Sequence, residues 1–495
     1  MRIGDLMTES GVQFGTSGAR GLAADMTDWV CYAYTLGFLR YLQSAGLIKP
    51  GQTVGIAGDL RPSSPRIMAA CARAVLDLGY SPHNAGFIPS PALAACGIAR
   101  RIPTLMVTGS HIPDDRNGIK FNLPTGEILK RDEDGIRVQA VERPAGLFDD
   151  AGQFIADQTD ALPAPDPAAY RDYVERYLRF FPAGCLAGLR VGVYEHSSVA
   201  REAYAEVLAG LGADVTRLGY SARFMPVDTE AIRPEDVVLA RDWAASGQFD
   251  ALVSADGDGD RPLIGDEQGN WLRGDIAGIL CARQLGARGV VTPVSSNTAV
   301  ERCGAFSAVR RTRIGSPFVI EGMQQLIDEG LNPVVGYEAN GGFLLGTDIE
   351  YDGRLLPALP TRDAILVALT ILQAAAEQRK PVSTLAGDLP RRSTHSDRLK
   401  NFPTHISQTR IAALHSGDFV RDQAAIEAIF GEVFGTVAAL DVTDGLRITF
   451  ASGEIAHLRP SGNAPELRAY TEADTPERAE TMNRICMAIL SAWRK

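Results

Sequence analysis

Hydrophobic and polar positions repeat in the same order three times along the chain. In each repeat a short apolar run, typical of a buried strand, breaks into a polar turn and continues with apolar residues at helical spacing. The apolar runs cover residues 53–59, 190–195 and 289–294, and the helical patterns cover 67–78, 199–211 and the residues from Thr298 onward. Alternating strand and helix patterns predict an α/β architecture. Because the repeats are separated by the length of a domain, we predict three similar α/β domains in series.

The last hundred residues follow a different pattern. After a predicted helix at 362–379, two apolar stretches flank Asp444-Gly445 and predict antiparallel strands joined by a tight turn, at 435–442 and 446–453. An amphipathic pattern at 476–493 predicts a final helix, so this region is expected to form a smaller C-terminal α+β domain. The Pro- and Ala-rich segment 161–169 is the clearest linker. The predicted domains, arranged around a central cleft, cover residues 1–155, 156–268, 269–382 and 383–495.

The composition is that of an ordinary soluble globular protein, with 45% hydrophobic and 22% charged residues in a chain of 495. The formal net charge of −11 argues against a nucleic-acid or membrane-surface protein, both of which favour basic patches. No apolar run approaches the roughly 20 residues that span a bilayer, and the N-terminus has no segment of signal-peptide type. Seven cysteines without CxxC pairs indicate reduced thiols. We therefore expect a cytoplasmic protein, whose oligomeric state the sequence leaves open.

Three carboxylates at alternate positions follow the predicted strand at 249–255. Asp256, Asp258 and Asp260 are separated by glycines. Carboxylates this close repel one another unless a cation lies among them, and an oxygen-only ligand set suits Mg²⁺. A solvated acidic turn is the alternative interpretation. An EF-hand loop is rejected, because Arg261 stands where that loop requires glycine and a strand precedes the carboxylates.

A serine stands at the abrupt end of another predicted strand, at 103–107. The segment Thr108-Gly-Ser-His-Ile-Pro113 follows this strand, and Lys120 comes soon after it. A turn requires glycine and proline, but it does not require Ser-His or a lysine at these positions. On this segment alone, a polar loop between two strands is the simplest interpretation.

Two further glycine-rich segments carry polar side chains. In the segment 15–21, backbone amides, the hydroxyls of Thr16 and Ser17 and the guanidinium of Arg20 could surround an anion, although such loops are usually structural. In the segment 336–343, Glu338 and Asn340 could hydrogen-bond sugar hydroxyls. A bulged hairpin explains this second segment equally well.

A third polar loop lies near the C-terminus and has the composition of a phosphate site. Arg459, Ser461, Gly462 and Asn463 offer charged and neutral donors in one tight turn, and Arg468 stands on the next predicted strand. An ordinary hairpin turn would account for Ser-Gly-Asn but would leave the two arginines unexplained.

Together, four segments resemble the α-D-phosphohexomutase family, the phosphoglucomutase and phosphomannomutase enzymes. They occur in the family's order, at 15–21, 108–113, 256–261 and 459–463. The resemblance covers nearly the whole chain and implies three α/β domains plus a smaller C-terminal domain. It also implies an enzyme that interconverts hexose 6-phosphate and hexose 1-phosphate, with hexose 1,6-bisphosphate as intermediate and activator. The expected partner is thus a small-molecule sugar phosphate.

The resemblance assigns a role to each residue of the phosphoryl-transfer centre. Ser110 would be the phosphoserine that donates and recovers the phosphoryl group. Mg²⁺ would be held by Asp256, Asp258, Asp260 and a phosphoserine oxygen of Ser110. Lys120 would be the general acid or base, and three further residues would support the transfer, namely Arg20, His111 and Arg261. These roles agree with the physics of phosphoryl transfer, which depends mainly on positioning and charge neutralisation.

The resemblance also assigns substrate-binding residues. Because Ser110 reaches one end of the sugar phosphate at a time, the other end needs its own anion site, and the C-terminal loop would provide it. The bisphosphorylated sugar would then turn over and return its other phosphate to Ser110. The expected substrate-binding residues are Thr16, Ser17, Gly315, Ser316, Glu338, Asn340, Arg459, Ser461, Gly462, Asn463 and Arg468.

Three positions depart from the family's usual motifs. Ile112 stands in place of the usual Asn, Asn340 in place of Ser, and Ser316 in place of the His of bacterial bifunctional phosphomannomutases. The last two changes concern the choice of sugar. The segment 441–450 resembles phosphomannomutases most, so mannose phosphate is expected first, glucose phosphate second and glucosamine phosphate third.

Two functions of other classes are weighed against this one. A metal-dependent phosphatase with an aspartate nucleophile would explain the carboxylates but would leave the loops of Ser110 and Arg459 without a role. A non-catalytic sugar-phosphate-binding protein would be expected to show a broken serine or metal loop, and both loops are intact.

Overall fold

The computed structural model describes residues 1–15, 18–461 and 465–494. Its first sheet is built around buried apolar strands and has helices packed against it. The strands are β1 (Gln13–Phe14), β2 (Gly18–Leu22), β3 (Thr53–Gly58), β4 (Ser81–Phe87), β5 (Thr104–Val107), β6 (Arg116–Leu123) and β7 (Gly126–Glu127). The helices are α1 (Ile3–Ser10), α2 (Asp28–Ser44), α3 (Ser64–Asp77), α4 (Ser90–Arg100) and α5 (Lys130–Arg137). The strand order is β1-β2-β6-β5-β3-β4, with β7 paired to β6.

The second sheet follows a 3₁₀ turn at Thr159–Ala161 and has four described strands in the order β11-β10-β8-β9. The strands are β8 (Arg190–His196), β9 (Asp214–Tyr220), β10 (Ala251–Ala255) and β11 (Pro262–Gly265). The helices of this region are α6 (Ala168–Phe180), α7 (Arg201–Gly210) and α8 (Pro234–Ala244).

The third sheet has the order β13-β12-β14-β15-β18, and β16 and β17 form a separate hairpin beside it. The strands are β12 (Gly289–Pro293), β13 (Ala308–Thr312), β14 (Val334–Tyr337), β15 (Phe343–Leu345), β16 (Ile349–Tyr351), β17 (Arg354–Leu356) and β18 (Leu359–Arg362). The helices are α9 (Gly274–Gln284), α10 (Ala299–Arg302), α11 (Ser316–Asp328), α12 (Ala364–Gln378) and α13 (Val382–Gly387).

These three sheets share one strand path. Each has a central strand (β3, β8 or β12) with a parallel neighbour on both sides, and an antiparallel strand (β6, β11 or β15) follows beside the second neighbour. The apolar runs found in the sequence are the three central strands. Strands covered on both faces are apolar along most of their length, which is why their pattern is recognisable. The predicted series of three α/β domains is confirmed.

The shared path places the polar loops at equivalent positions. Ser110 lies between β5 and β6, the three aspartates lie between β10 and β11, and Glu338 and Asn340 lie between β14 and β15. Each loop leaves the carboxyl end of a parallel strand, the edge at which α/β proteins commonly bind ligands.

The C-terminal region is a separate antiparallel sheet of five described strands in the order β19-β23-β22-β21-β20. The strands are β19 (Ser393–Leu399), β20 (Val437–Asp441), β21 (Leu446–Phe450), β22 (Ile455–Pro460) and β23 (Leu467–Ala473). The helices are α14 (Thr404–Ala412), α15 (Phe419–Phe434) and α16 (Pro476–Ala492). The predicted α+β domain is thereby confirmed, and Arg459 lies at the end of β22.

The hydrophobic cores explain how the loops keep their relative positions. The C-terminal sheet has a core of its own, and one face of the first sheet packs on a second core. One continuous cluster of buried side chains runs through the second and third sheets and also takes in Leu93 of α4 and Met106 of β5 from the first. Helix α12 belongs to this shared core and is buried from Ala364 to Ala375. The aspartate loop and the Glu338 loop are therefore carried on one packed unit.

Two differences from the sequence-based expectation concern helices. The helix predicted from Thr298 is only one turn long, because α10 ends at Arg302 and the chain turns at Gly304 towards β13. The helix predicted at 362–379 begins later, at Ala364, because Asp363 caps it by accepting a hydrogen bond from the Leu366 amide. Among the described helices, none combines the length and the hydropathy that crossing a bilayer requires.

Candidate functional site

Ser110 is held in an unusual backbone conformation at the tip of the β5–β6 loop. Its φ of 56° lies in the left-handed region, and its side chain is almost completely buried. The loop is braced by the fully buried Arg61, whose Nη2 donates to the carbonyl of Ser110 at 2.8 Å. The Ser110 amide donates to Thr108 Oγ1 at 2.7 Å. As a result Ser110 Oγ donates to Asp256 Oδ2 at 2.6 Å, joining the serine loop to the aspartate loop.

The three aspartates form a buried cluster. One carboxylate oxygen from each of Asp256, Asp258 and Asp260 lies within 4.8 Å of the others. Gly257 permits this arrangement, because a Cβ at that position would come within 2.9 Å of the Ser110 carbonyl oxygen. Burial and the two neighbouring carboxylates raise the pKa of Asp256 well above its ordinary value.

This donor set fits a metal ion. Asp258 Oδ1 and Asp260 Oδ1 are buried, and neither has a hydrogen-bond partner among the described residues. Buried carboxylate oxygens are costly without a cation or a donor, so two such atoms beside Asp256 mark a place where a cation is favoured. All the protein donors are oxygens, which hard divalent cations prefer.

Lys120 lies beside this cluster. Its Nζ donates to Asp258 Oδ2 at 2.6 Å and to Asp260 Oδ2 at 2.5 Å. Burial lowers the pKa of Lys120, but the attraction of the two carboxylates outweighs burial and holds the pKa above its ordinary value. The lysine is therefore an ammonium at neutral pH. Ser90, at the start of α4, completes the contact by donating from Oγ to Asp258 Oδ2 at 2.5 Å.

Cations surround the remaining side of Ser110. A polar cavity of about 30 Å³ is lined by Ser110 and by four positively charged side chains, those of Arg20, Lys120, Arg261 and Arg362. His111 Nδ1 lies 3.3 Å from Ser110 Oγ and 2.8 Å from Arg261 Nη1. Burial and the Arg261 guanidinium lower the pKa of His111 to about 3, so its imidazole is neutral. Burial and Arg261 also lower the pKa of Arg20, to about 10.

Three of the predicted sugar-binding side chains, those of Glu338, Asn340 and Ser316, contact other groups of the protein. Glu338 is 4% exposed, and its Oε2 lies 3.4 Å from Arg362 Nη1. Asn340 Oδ1 accepts from the Gly342 amide at 2.9 Å, so this side chain closes its own turn, and the segment is a β-hairpin loop. Gly315 is the N-cap of α11. The hydroxyl of Ser316 donates to Glu127 Oε2 at 2.8 Å, which ties α11 to the first sheet.

The C-terminal loop is joined to the third domain through one carboxylate. Asp444 Oδ2 accepts from Arg459 Nε at 2.8 Å and from the Ile314 amide at 2.9 Å. Arg468 is directly opposite Arg459 in the β22–β23 pair and forms an ion pair with Glu466. Four of the predicted substrate-binding residues, Thr16, Ser17, Gly462 and Asn463, lie outside the described residues. Ser461 is described and is 6% exposed.

A larger cavity extends from His111, in the serine loop, to Arg468 of the C-terminal sheet. It has a volume of about 340 Å³ and lies between the serine loop, the 228–231 segment and the C-terminal sheet. Its charged lining includes His111 and Arg261 on one side and Arg398 and Arg468 on the other. This volume is within the usual range of small-ligand sites.

Four residues of the site were not found by sequence reasoning, namely Arg61, Ser90, Arg362 and Asp444. Arg61 follows the first apolar run, so a buried ion pair with Asp59 could have been suspected there. Ser90 begins α4 and Arg362 ends β18, and neither shows any local sign of its contacts. Asp444 was recognised only as part of a turn.

Comparison with known proteins agrees with this arrangement. Models of the phosphoglucomutase/phosphomannomutase family match residues 11–143 (alpha/beta/alpha domain I), 273–393 (alpha/beta/alpha domain III) and 417–488 (C-terminal domain). A phosphomannomutase of Salmonella muenchen is 45% identical and covers 96% of this chain and 95% of its own length. A phosphomannomutase of Sinorhizobium fredii is 42% identical and covers 97% and 99%.

The fold is also shared with solved structures. A phosphoglucomutase/phosphomannomutase family protein from Burkholderia thailandensis superposes with a TM-score of 0.72 at 18% identity, and the match covers 97% of both chains. At this identity the similarity concerns the fold alone.

Proposed function

The chain belongs to the phosphoglucomutase/phosphomannomutase family, and on this basis we propose that it is a phosphomannomutase that transfers a phosphoryl group through Ser110. The observation that carries the proposal is the contact of Ser110 Oγ with buried Asp256 at 2.6 Å, in a cavity lined by four cations. A serine phosphate placed there would meet positive charge on several sides, as phosphoryl transfer requires.

The chain's own residues divide the chemistry between them. Ser110 carries the phosphoryl group and passes it to either the O1 or the O6 of the sugar. Lys120, an ammonium held by two carboxylates, donates hydrogen bonds to phosphoryl oxygens, gives a proton to Ser110 Oγ as its bond to phosphorus breaks, and regains the proton that the attacking sugar hydroxyl releases. Arg20 and Arg261 neutralise the charge of the phosphoryl group. Neutral His111 accepts a hydrogen bond from Arg261 Nη1 through Nδ1 and so helps to hold that guanidinium beside Ser110.

We propose Mg²⁺ as the metal, held by Asp256, Asp258 and Asp260 together with an oxygen of phosphorylated Ser110. Three carboxylates without nitrogen or sulfur donors match its preference for oxygen ligands. When bound, the ion supplies Lewis-acid neutralisation of the phosphoryl oxygens.

The second phosphate of the sugar binds at the C-terminal loop. Arg459 and Ser461 belong to this loop, and Arg468 faces the larger cavity of about 340 Å³. The cavity offers room for the bisphosphorylated sugar to turn over between the two ends of the site. Hexose 1,6-bisphosphate is the activator, because it can phosphorylate an unmodified Ser110.

Mannose phosphate is the proposed preferred substrate, since the two relatives above are phosphomannomutases. A coupled assay should compare mannose, glucose and glucosamine 1-phosphates, each with the corresponding hexose 1,6-bisphosphate. We expect the highest kcat/KM with mannose 1-phosphate and no steady release of inorganic phosphate. Continuous phosphate release would instead indicate a phosphatase, and binding without turnover would indicate a non-catalytic protein.

The same proposal covers the domain boundaries and the location. We place the boundaries near residues 155, 268 and 382, each of which lies between two of the described sheets. A cytoplasmic location is supported by the seven cysteines, all of which are free thiols.

A further inference from the structure

Arg362 is a buried arginine between two loops of the site. It is the last residue of β18 and is 3% exposed. Its Nε lies 3.2 Å from Asp260 Oδ2, and its Nη1 lies 3.4 Å from Glu338 Oε2. A single planar guanidinium therefore spans the aspartate loop and the Glu338 loop. Such two-point contact is a property of arginine that lysine cannot reproduce.

The chain makes room for this side chain. Gly342 stands in the loop after Glu338, and a Cβ there would lie 2.4 Å from Arg362 Cδ and 2.6 Å from its Cγ. Any larger residue would displace the arginine. The hairpin therefore needs a glycine at position 342 for the Arg362 side chain to pass in its observed conformation.

The backbone of Arg362 is anchored by the next residue. Asp363 accepts hydrogen bonds from the hydroxyls of Tyr173, at 2.8 Å, and Tyr177, both on α6. It also caps α12 through the Leu366 amide. The side chains of Asp363, Tyr173 and Tyr177 are all buried. These contacts of Asp363 hold the backbone of Arg362 in place within the core that the second and third sheets share.

Resting on the function proposed above, we infer that Arg362 is a positioning residue that fixes Glu338 relative to the aspartate loop. With Glu338 held in this way, the hydroxyls of the sugar are read at a fixed distance from Ser110. Arg362 also lines the small cavity at Ser110, but its guanidinium is engaged by Asp260 and Glu338, so it acts through Glu338 on the sugar ring and not by binding the phosphate.

The test separates sugar recognition from phosphate recognition. The affinity of Arg362→Lys should be measured by calorimetry for inorganic phosphate and for whichever of the three hexose 1-phosphates binds wild type most tightly. Losing the two-point contact should weaken hexose 1-phosphate binding about tenfold or more, with phosphate affinity unchanged within about twofold. An equal loss for both ligands would show that Arg362 contacts phosphate, and no loss for either would show that it only packs. Each result would overturn the inference.

A second variant keeps the test decisive if Arg362→Lys folds poorly, and a double variant extends the test where Arg362→Lys folds well. Gly342→Ala retains the arginine but displaces it, and should give the same selective loss. Combining Arg362→Lys with Glu338→Gln should be no worse than Glu338→Gln alone, because the arginine acts through that glutamate. Additive losses would contradict the inference. Arg310→Lys is the matched control, because Arg310 lies on β13 and forms an ion pair with Glu329 outside the site. This variant should bind both ligands normally.

Failure of this inference and failure of the proposed function give different results. If wild type binds the hexose phosphate without turnover, the proposed function fails while the binding comparison still decides the role of Arg362. If wild type turns over and Arg362→Lys keeps the same preference among the three sugars and the same affinities, only the inference about Arg362 fails.

Discussion

Replacing Asp444 should weaken the C-terminal phosphate site although this residue touches no predicted substrate atom. Its Oδ2 accepts from Arg459 Nε at 2.8 Å and from the Ile314 amide at 2.9 Å. Asp444→Asn keeps one oxygen that can accept both of these bonds but removes the charge. Asp444→Ala removes both bonds. The two variants therefore form a graded series at one position.

The magnitude follows from the burial of the ion pair. The side chains of Arg459 and Asp444 are 13% and 18% exposed. This pair should be worth more than the roughly 0–1 kcal/mol of a surface ion pair, and less than the roughly 3–5 kcal/mol lost when a fully buried pair is broken. We expect Asp444→Asn to cost about 1–2 kcal/mol, or roughly 5- to 30-fold in kcat/KM. Asp444→Ala should cost about 2–3 kcal/mol, or roughly 30- to 150-fold.

The assay is kcat/KM in both directions, from the 1-phosphate and from the 6-phosphate. Because the C-terminal loop is proposed to hold whichever phosphate is not reacting, both directions should fall by similar factors. Arg459→Ala should have at least as large an effect, and adding Asp444→Asn to it should cost little more. Asp441→Asn is the control, since this carboxylate is in the same hairpin and, among the described residues, accepts a hydrogen bond only from the Thr443 amide. Unchanged kinetics for Asp444→Ala, or an equal loss in the control, would refute the reasoning.

Three further predictions test the rest of the site. Intact mass and peptide mapping should find a fraction of molecules with one phosphate on Ser110. Ser110→Ala should lose turnover while keeping its thermal stability, and near-normal activity of this variant would exclude Ser110 as the phosphorylated residue. A chelator should abolish turnover until Mg²⁺ is added back, and Asp258→Asn should lower kcat by about 100-fold or more. Full activity in excess chelator would contradict a metal centre. Burial lowers the pKa of His457 to about 4 from 6.5. The unfolded chain therefore takes up this proton first, and stability should be lost as pH falls from about 6.5 to about 4, by at most about 3–4 kcal/mol for this group. Urea unfolding against pH should show a shallower loss for His457→Gln, and an identical slope would show that His457 does not contribute.

The sequence by itself determined the repeated architecture and the chemistry-bearing loops. The central strands β3, β8 and β12 are covered on both faces, so their apolar runs are continuous and visible without a structure. In each of the three sheets a polar loop with glycines follows one of the parallel strands, and the binding chemistry of such a loop depends on particular residues at neighbouring positions. The three aspartates could therefore be singled out from a few consecutive residues, whereas the role of Ser110 followed only from the joint resemblance of four segments to the phosphohexomutase family.

Only the tertiary structure decided which loops meet and what holds them together. Arg362 reaches Asp260 and Glu338, and Asp444 joins Arg459 to Ile314, although these partners are distant in the chain. A local pattern reports the burial and conformation of its own segment and carries no information on which remote side chain will pack against it. The packing of α12 and of the C-terminal sheet creates these contacts. The ion pairs they form depend on distances of a few ångströms, which are fixed only when the separate domains fold against one another.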